Sequence, residues 1–290
     1  MPLSTPLALD QLQTFAEGLD HAEGICQTVE GRIYVGGEAG QIYRIEDDGS
    51  PTEILRTDGF VLGLAADGAD RLYAADTAHR CVWRIDPVSL QRAVFTDGSP
   101  ERRLRVPNWG AFGPDGSYYL SDSGTWGGAD GLLWRVKPGG ETEVWSTATP
   151  HFPNGLAVTP DGSRLYVLES YPGALVAIEI EPDGCAGESQ ELCDLDPAVP
   201  DGVAIAQDGS LFISCYRPDA IYHWSAEHGL RLFAEDPRGT ILSAPTNLIF
   251  TGADRDELVV PNIGRWHLTR MPAGVSGAPL HYPTADQLGG

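Results

Sequence analysis

Residues 153–169 read PNGLAVTPDGSRLYVLE, which is a Pro-Asn step, a hydrophobic strand, a Pro-Asp-Gly turn and a second strand. Related stretches read PNWGAFGPDGSYYLSD from Pro107, PDGVAIAQDGSLFISC from Pro200 and PTNLIFTGADRDELVV from Pro245. Two further copies lie upstream, EGICQTVEGRIYVGG from Glu23 and LGLAADGADRLYAAD from Leu62. The four prolines are 46, 47 and 45 residues apart. A period in the mid-forties is typical of one four-stranded β-propeller blade.

Within each copy the hydrophobic residues alternate with a period of two, which indicates strands and not helices. Asp-Gly turns separate the first two strands, and a third strand of the form found at 40–45 follows in most copies. The pattern therefore predicts an all-β fold, a six-bladed β-propeller with four antiparallel strands per blade. Residues 12–16 precede the first copy and are predicted to close the ring as the outermost strand of the last blade. The whole chain, 1–290, is predicted to be one domain.

The charge composition of the chain limits the kinds of macromolecular partner that it can bind. The net charge is −22, whereas nucleic-acid or anionic-membrane partners require a basic surface. Neither partner is expected. No stretch reaches the roughly 18 apolar residues of a membrane span, and the N-terminus lacks the features of a signal peptide. The five cysteines form no Cys-x-x-Cys pair, which suits a reducing compartment. We expect a cytoplasmic protein, either a monomer or a small homo-oligomer.

The residue just before the innermost strand of each blade is expected to lie at one mouth of the central channel. In four copies this residue carries a side-chain oxygen, and the four are Glu23, Asn108, Asn154 and Asp201. If the blades are equivalent, these oxygens converge on the propeller axis. Two carboxylates and two amides suit a hard divalent cation. Ca²⁺ is the first expectation, with Mg²⁺, Mn²⁺ or Zn²⁺ as alternatives, although zinc prefers nitrogen and sulfur.

Any one of these four residues has a simpler interpretation. Asn or Asp after Pro and before Gly is common in turns, where its side chain bonds to the local backbone. Four oxygen-bearing residues at corresponding positions of different blades are not explained by turn chemistry alone. The set is therefore predicted to be a metal site.

The sequence resembles the senescence marker protein / gluconolactonase / luciferin-regenerating enzyme family. The resemblance rests on Glu23-Gly24, Pro107-Asn108, 154–156 and 200–202, and it extends from about residue 15 to about 271. The resemblance implies a six-bladed propeller that holds one catalytic divalent cation. It also implies an enzyme that hydrolyses lactones or, in related members, organophosphate esters. By the same resemblance Glu23, Asn154 and Asp201 are metal ligands, and Asn108 is a ligand or binds substrate and water. Asp201 is also the general base, although ligation lowers the basicity of a carboxylate, so direct nucleophilic attack stays open.

The chain departs from the family pattern beside Asn108. Sugar-lactone members commonly have Arg two residues before this Asn and Asp directly after it, and here Val106 and Trp109 occupy those positions. The substrate is therefore expected to be a lactone or ester less polar than a sugar lactone. Candidate substrate-binding residues are Asn108, Trp109, Trp126, His151, Tyr171 and Tyr216, with Phe152 beside them. His21 and His267 are weaker candidates for a direct role.

Two other classes of function remain open at this point. A non-catalytic propeller could bind a ligand or protein through the same face. Parts of the chain, YVGGEAGQIYRI and NGLAVTPDGSRLYVLES, also look like strictosidine-synthase-type propellers, which carry out a metal-free condensation with a catalytic glutamate. Glu169 is the candidate for that role. The hydrolase interpretation is favoured because all four ligand-type residues are present.

Overall fold

The computed structural model describes residues 5–288, which form six antiparallel sheets of four strands each. Blade 1 contains β2 (Ile25–Gln27), β3 (Ile33–Gly36), β4 (Gln41–Ile45) and β5 (Pro51–Arg56). Blade 2 contains β6 (Val61–Ala66), β7 (Leu72–Asp76), β8 (Cys81–Ile85) and β9 (Arg92–Thr96). Blade 3 contains β10 (Pro107–Phe112), β11 (Tyr118–Asp122), β12 (Leu132–Val136) and β13 (Thr142–Ser146).

In every blade the strands are named in order from the central axis outward, and the remaining three blades are as follows. Blade 4 contains β14 (Pro153–Val158), β15 (Arg164–Ser170), β16 (Gly173–Ile180) and β17 (Ala186–Asp194). Blade 5 contains β18 (Val199–Ile205), β19 (Leu211–Arg217), β20 (Ala220–Ser225) and β21 (Gly229–Glu235). Blade 6 contains β22 (Ile249–Thr251), β23 (Glu257–Pro261), β24 (His267–Pro272) and β1 (Gln13–Glu17). Two short 3₁₀-helices cover Leu9–Gln11 and Asp286–Leu288.

The N-terminal strand closes the ring as predicted. β1 is the outermost strand of blade 6 and pairs antiparallel with β24, with Gln13 opposite Arg270 and Glu17 opposite His267. Closure from the N-terminus joins the first and last parts of the chain in one sheet, so the last blade is not left one strand short. The predicted fold class is confirmed.

Hydrophobic side chains on each sheet pack against the next blade. Between blades 3 and 4, for example, Tyr119 and Leu133 of one sheet share a buried cluster with Leu165 and Val167 of the other. A blade exposes both sheet faces when isolated, so each sheet needs its neighbours to bury its apolar residues. This packing holds the six inner strands around one central channel.

All six inner strands begin at the same end of the channel, which we call the upper mouth. The loops that join the second and third strands of each blade also lie at this end, as do the loops between blades. The Asp-Gly hairpins lie at the opposite end, the lower mouth, where Gly116, Gly162 and Gly209 adopt the positive φ that the turns require. The upper mouth therefore collects residues from every blade.

No helix within residues 5–288 is long and apolar enough to cross a membrane. All five cysteines are free thiols, and three of them, Cys26, Cys81 and Cys215, are buried.

Candidate metal and substrate site

The structure places the four predicted ligands at the upper mouth, and all four are buried. Glu23 lies two residues before β2, whereas Asn108, Asn154 and Asp201 lie within the first residues of β10, β14 and β18. The last three sit where strand pairing is irregular, because the register shifts between residues 107 and 110, 153 and 156, and 200 and 203. An irregularity of this kind redirects side chains. The side chains of Asn108, Asn154 and Asp201 therefore need not alternate between the two sheet faces as the rest of each strand does.

Each predicted ligand carries one buried oxygen without a hydrogen-bond partner in the described part of the chain. These atoms are Glu23 Oε2, Asn108 Oδ1, Asn154 Oδ1 and Asp201 Oδ1. A buried acceptor without a partner costs free energy, about 1–3 kcal/mol for a neutral group and more for a charged one. Four such acceptors at one mouth indicate a group that supplies positive charge or donors.

Two serines fix the orientation of the two amides. Asn108 Nδ2 donates to Ser123 Oγ at 3.0 Å, and Ser123 Oγ donates to the carbonyl oxygen of Pro153 at 2.8 Å. Blade 4 repeats the arrangement, with Ser170 Oγ as the acceptor from Asn154. Because each serine proton is committed to a carbonyl, its oxygen must accept, and the amide nitrogen is the atom that donates. The amide oxygens are left free.

Glycines follow three of the predicted ligands and allow the inner strands to approach closely. A Cβ on Gly24 would lie 2.8 Å from Leu62 O of blade 2, and one on Gly202 would lie 2.8 Å from Thr246 O of blade 6. Gly155 meets the carbonyl oxygen of Asp201 in the same way. Only a residue without a side chain fits where backbones approach this closely.

Asn247 is a site residue that the sequence interpretation missed, because Thr246 occupies the position after proline that Asn108, Asn154 and Asp201 occupy in their copies. Its side chain is buried, and its Nδ2 donates to Glu23 O at 3.0 Å and to Leu62 O at 3.4 Å. Thr246 Oγ1 donates to the same Glu23 oxygen at 2.9 Å. Asn247 Oδ1 is a fifth buried oxygen without a partner among residues 5–288. Its place directly after a Pro-Thr step, where four of the other five copies have Gly, was the available signal.

The two carboxyl groups of the site both have raised pKa values, and burial is the main cause. Burial raises the pKa of Glu23 well above its ordinary value, and the nearby Asp201 and Glu38 carboxylates raise it further. Burial raises the pKa of Asp201 to about 7, although a hydrogen bond with Asn154 acts in the opposite direction. Two carboxylates that repel each other in a buried place are stabilised in their charged form by a bound cation.

The donor set fits a hard divalent cation. It contains two carboxylates and amide oxygens, which are Ca²⁺-type donors. Among residues 5–288, no group of three or more His, Cys, Asp or Glu side chains is placed to hold a metal ion. The set at the upper mouth has only two carboxylates, and its other donors are amides.

An aromatic cluster stands at the rim of the upper mouth. Trp126 is half-exposed and stacks on Tyr171 with ring centroids 5.6 Å apart, while Phe152 meets the edge of the indole at 4.8 Å. Phe152 lies two residues before Asn154, and Tyr171 directly follows Ser170. Phe152 and Tyr171 therefore lie on the two segments that carry Asn154 and its hydrogen-bond partner Ser170. In blade 5, Tyr216 is partly exposed at the same rim and lies under the Arg217 guanidinium.

Trp109 does not belong to the aromatic cluster at the rim. Its ring is buried between blades 3 and 4, where it packs with Tyr119 and Leu156, and its Nε1 donates to the carbonyl oxygen of Leu156 at 2.9 Å. The structure therefore gives Trp109 a packing role between blades and removes one reason for expecting an apolar substrate pocket.

The histidine candidates differ in their surroundings. His151 lies at the rim, and its backbone N–H donates to Glu169 Oε1 at 2.5 Å. His21 lies at the mouth between Asp20 and Glu38, with its Nδ1 at 2.9 and 3.3 Å from their oxygens. His267 is buried, and its Nε2 meets the carbonyl oxygen of Ile241 at 2.9 Å.

Glu169 has a local structural role. It receives the His151 backbone N–H, just as Asp122 receives the Val106 backbone N–H at 2.8 Å in blade 3. Both carboxylates cap the loop that leads to the next inner strand. This capping accounts for an acid at the position and requires no catalytic role.

Comparison with known proteins gives evidence that is independent of this geometry. Residues 22–263 match the family model described as SMP-30/Gluconolactonase/LRE-like region. The chain belongs to this family. A family relative, a gluconolactonase of Zymomonas mobilis, is 27% identical over 182 residues, which is 55% of this chain and 50% of that protein. The match thus spans only half the length of the curated relative.

Solved structures of the family share the fold. A gluconolactonase from Xanthomonas campestris superposes with a TM-score of 0.78 at 21% identity, covering 92% of this chain and 93% of the other. A calcium-binding regucalcin from Agrobacterium tumefaciens superposes with a TM-score of 0.76 at 15% identity, covering 93% and 95%. At these identities the superpositions establish the propeller architecture alone.

Proposed function

We propose that this protein is a lactonase that hydrolyses its substrate with the help of one divalent cation held at the upper mouth. The observation that carries the proposal is the set of buried, unpartnered oxygens on Glu23, Asn108, Asn154 and Asp201. Membership of the family and the gluconolactonase relative support lactone hydrolysis. The calcium-binding neighbour and the donor chemistry support Ca²⁺ as the ion.

Glu23, Asn154 and Asp201 are the proposed ligands, and Asn108 completes the set or binds substrate and water. A divalent cation in this place supplies Lewis acidity toward a lactone carbonyl. The protein's own contribution is to hold the oxygens in place. Ser123 and Ser170 keep the amide oxygens free, and Thr246 and Asn247 anchor the backbone at Glu23.

Asp201 is the proposed proton acceptor. In hydrolysis the oxygen of water bonds to the lactone carbonyl carbon, the ring C–O bond breaks, and the ring oxygen leaves as a hydroxyl group. Asp201 takes the proton from the attacking water, and a proton returns to the ring oxygen. Burial raises the pKa of Asp201 and a bound cation lowers it, so the base role requires that Asp201 holds the cation loosely. Direct attack by Asp201 on the carbonyl carbon is the alternative within this proposal.

The proposed substrate is a lactone less polar than a sugar lactone. The half-exposed rings of Trp126 and Tyr171 support this choice, because they offer a flat apolar surface beside the site. The Arg105 guanidinium is engaged by Asp130 at 2.5 Å and Thr125 at 3.2 Å, and Val106 offers no polar group in place of the family's arginine. His151 and Tyr216 complete the proposed rim contacts.

The test is proton release from a panel of aliphatic, aromatic and sugar lactones. Protein stripped with a chelator is assayed with and without added Ca²⁺ or Mn²⁺. We expect turnover that requires the added ion and is fastest on an aromatic or aliphatic lactone. Preference for a sugar lactone would contradict the substrate proposal alone. Turnover that is indifferent to the ion would contradict the cation, and silence across the panel would contradict the lactonase.

A further inference from the structure

A cavity lies in the channel below the candidate site. Its volume is about 120 Å³, and residues from the inner strands of all six blades line it. In blades 4 and 5 these residues are 156–158 and 203–205, which begin two positions after Asn154 and Asp201. At about 3.4 Å per strand residue, the lining in these two blades begins roughly 7 Å below Asn154 and Asp201. Its lining includes none of the four candidate ligands Glu23, Asn108, Asn154 and Asp201, and we call it the lower chamber.

The C-terminal segment 278–283 forms the lower wall of this chamber. Ala278 N donates to Ile205 O at 2.9 Å, and Tyr282 Oη donates to Gln27 O at 2.9 Å. His281 Nε2 meets Thr159 O at 3.0 Å, so the segment is fixed to blades 5, 1 and 4. A wall held by three blades is part of the fold, and it makes the chamber a built cavity.

The lining is mainly aliphatic and aromatic, with one unsatisfied cationic side chain. Gln27, His281 and Tyr282 all have hydrogen-bond partners. Arg255 does not: its Nε is buried without a partner, and no carboxylate pairs with its guanidinium within residues 5–288. Burial lowers the pKa of Arg255, which is the direction expected for a cation that lacks a counter-charge.

Arg135, a buried arginine elsewhere in the protein, has partners for its guanidinium and serves as a comparison. Arg135 donates from Nε to Ser117 Oγ at 3.0 Å and from Nη1 to Gly184 O at 2.9 Å, and it pairs with Asp115. The chain has 41 acidic and 19 basic side chains that could pair in this way. Arg255 is partly buried at an apolar chamber of an acidic protein, and within residues 5–288 its guanidinium has no anionic partner.

We propose that this chamber binds a small monocarboxylate with a compact apolar body, whose carboxylate accepts hydrogen bonds from Arg255. Charge-assisted bonds between a guanidinium and a carboxylate are among the strong ones in proteins. An apolar cavity of about 150 Å³ holds benzene, and this one measures about 120 Å³, so the apolar body is at most a single ring or a short branched chain and the carboxylate lies beyond it at Arg255. The site is independent of the proposed lactonase reaction.

The experiment measures benzoate binding to the intact protein by calorimetry in the presence of a chelator, so that no cation at the upper mouth can hold the carboxylate. Toluene and benzyl alcohol serve as neutral probes, and acetate serves as a carboxylate without a ring. We expect benzoate to bind, the neutral probes to bind at least tenfold more weakly, and acetate not to bind. Absence of benzoate binding, or equal affinity for benzoate and toluene, would overturn the proposal.

Two variants and a control locate the site. Arg255→Met removes the charge at similar length and is expected to weaken benzoate binding at least tenfold while toluene binding is retained. Ala157→Leu fills the chamber and should abolish binding of both. Arg164→Met, at an exposed arginine of β15, is the matched control. If Arg255→Met binds benzoate as tightly as the unmodified protein, the carboxylate does not lie at Arg255 and the proposal fails even if Ala157→Leu does not fold.

Discussion

Asn154 and Ser170 are joined by a hydrogen bond of 3.2 Å in which the amide nitrogen donates and the hydroxyl oxygen accepts. Ser170 in turn donates to the carbonyl oxygen of Pro200, the residue before Asp201, at 2.7 Å. One serine therefore orients a predicted ligand of blade 4 and contacts the backbone beside a predicted ligand of blade 5. Ser123 makes the corresponding link between blades 3 and 4.

Ser170→Ala is expected to weaken Ca²⁺ binding about threefold to tenfold, since a net hydrogen bond is worth about 0.5–1.5 kcal/mol. The Asn154 amide would lose the contact that keeps its oxygen toward the mouth. Calorimetric titration with Ca²⁺ measures the effect. Ser163→Ala, in the exposed hairpin of the same blade, is the control. Unchanged affinity in Ser170→Ala would show that the serine does not position the ligand.

Asp201→Asn is expected to reduce kcat/KM for the preferred lactone by about 10²–10⁴, the usual contribution of a general base. The assay is run at saturating Ca²⁺, so that weaker ion binding does not account for the loss. Asp208→Asn, in the lower hairpin of the same blade, should retain activity. Turnover within a few-fold of the unmodified protein would exclude Asp201 as the base.

The cation-free protein is expected to lose stability as the pH rises from about 4 to about 7. Burial raises the pKa of Asp201 from 3.8 to about 7 in the folded state, and the pKa of Glu23 is raised as well. In this window the folded state binds more protons than the unfolded state, so the free energy of unfolding falls with increasing pH. Other carboxyl groups with lowered pKa values, such as Asp236, oppose this trend below about pH 4.

Thermal unfolding at several pH values, with chelator and with Ca²⁺, measures this effect. Added Ca²⁺ should remove the loss, because it stabilises both carboxylates in their charged form. Glu23→Gln combined with Asp201→Asn should flatten the dependence in the chelated protein. A chelated protein equally stable at pH 5 and pH 7.5 would contradict the prediction.

Gly155→Ala is expected to destabilise the protein by about 1–3 kcal/mol, the usual cost of overpacking. The new Cβ would meet the carbonyl oxygen of Asp201 and lie 2.8 Å from the Gly202 Cα, and neither backbone atom can move without shifting blade 5. Urea unfolding measures the loss. In the control, Gly187→Ala, the closest atom at 2.6 Å belongs to the flexible Glu181 carboxylate. Equal effects of the two changes would contradict the close approach.

Trp126→Ala is expected to raise KM for an aromatic lactone about twofold to tenfold with little change in kcat, since aromatic contacts are worth about 0.5–1.5 kcal/mol. KM for a sugar lactone should change less. Trp266→Ala removes another exposed indole at the rim, outside the cluster of Trp126, Phe152 and Tyr171, and is the control. The same change in KM for both lactones would argue against selection by this cluster.

The sequence repeat was sufficient to predict the fold. A blade is a local unit, and its hydrophobic alternation and Asp-Gly turns are readable over about 45 residues. The positions of Glu23, Asn108, Asn154 and Asp201 followed from equivalence between blades, because repetition of the unit around an axis brings equivalent positions together.

Only the tertiary structure decided how side chains from different blades meet. Trp109 follows Asn108 in sequence but packs into the next blade, and Asn247 bonds to carbonyl oxygens that lie 224 and 185 residues away. The lower chamber, with Arg255 at its lining, requires the C-terminal segment to cross the channel. These contacts depend on close packing between sheets, which has no period in the sequence. The repeat specifies where a strand begins, whereas the packing of the ring specifies what each side chain touches.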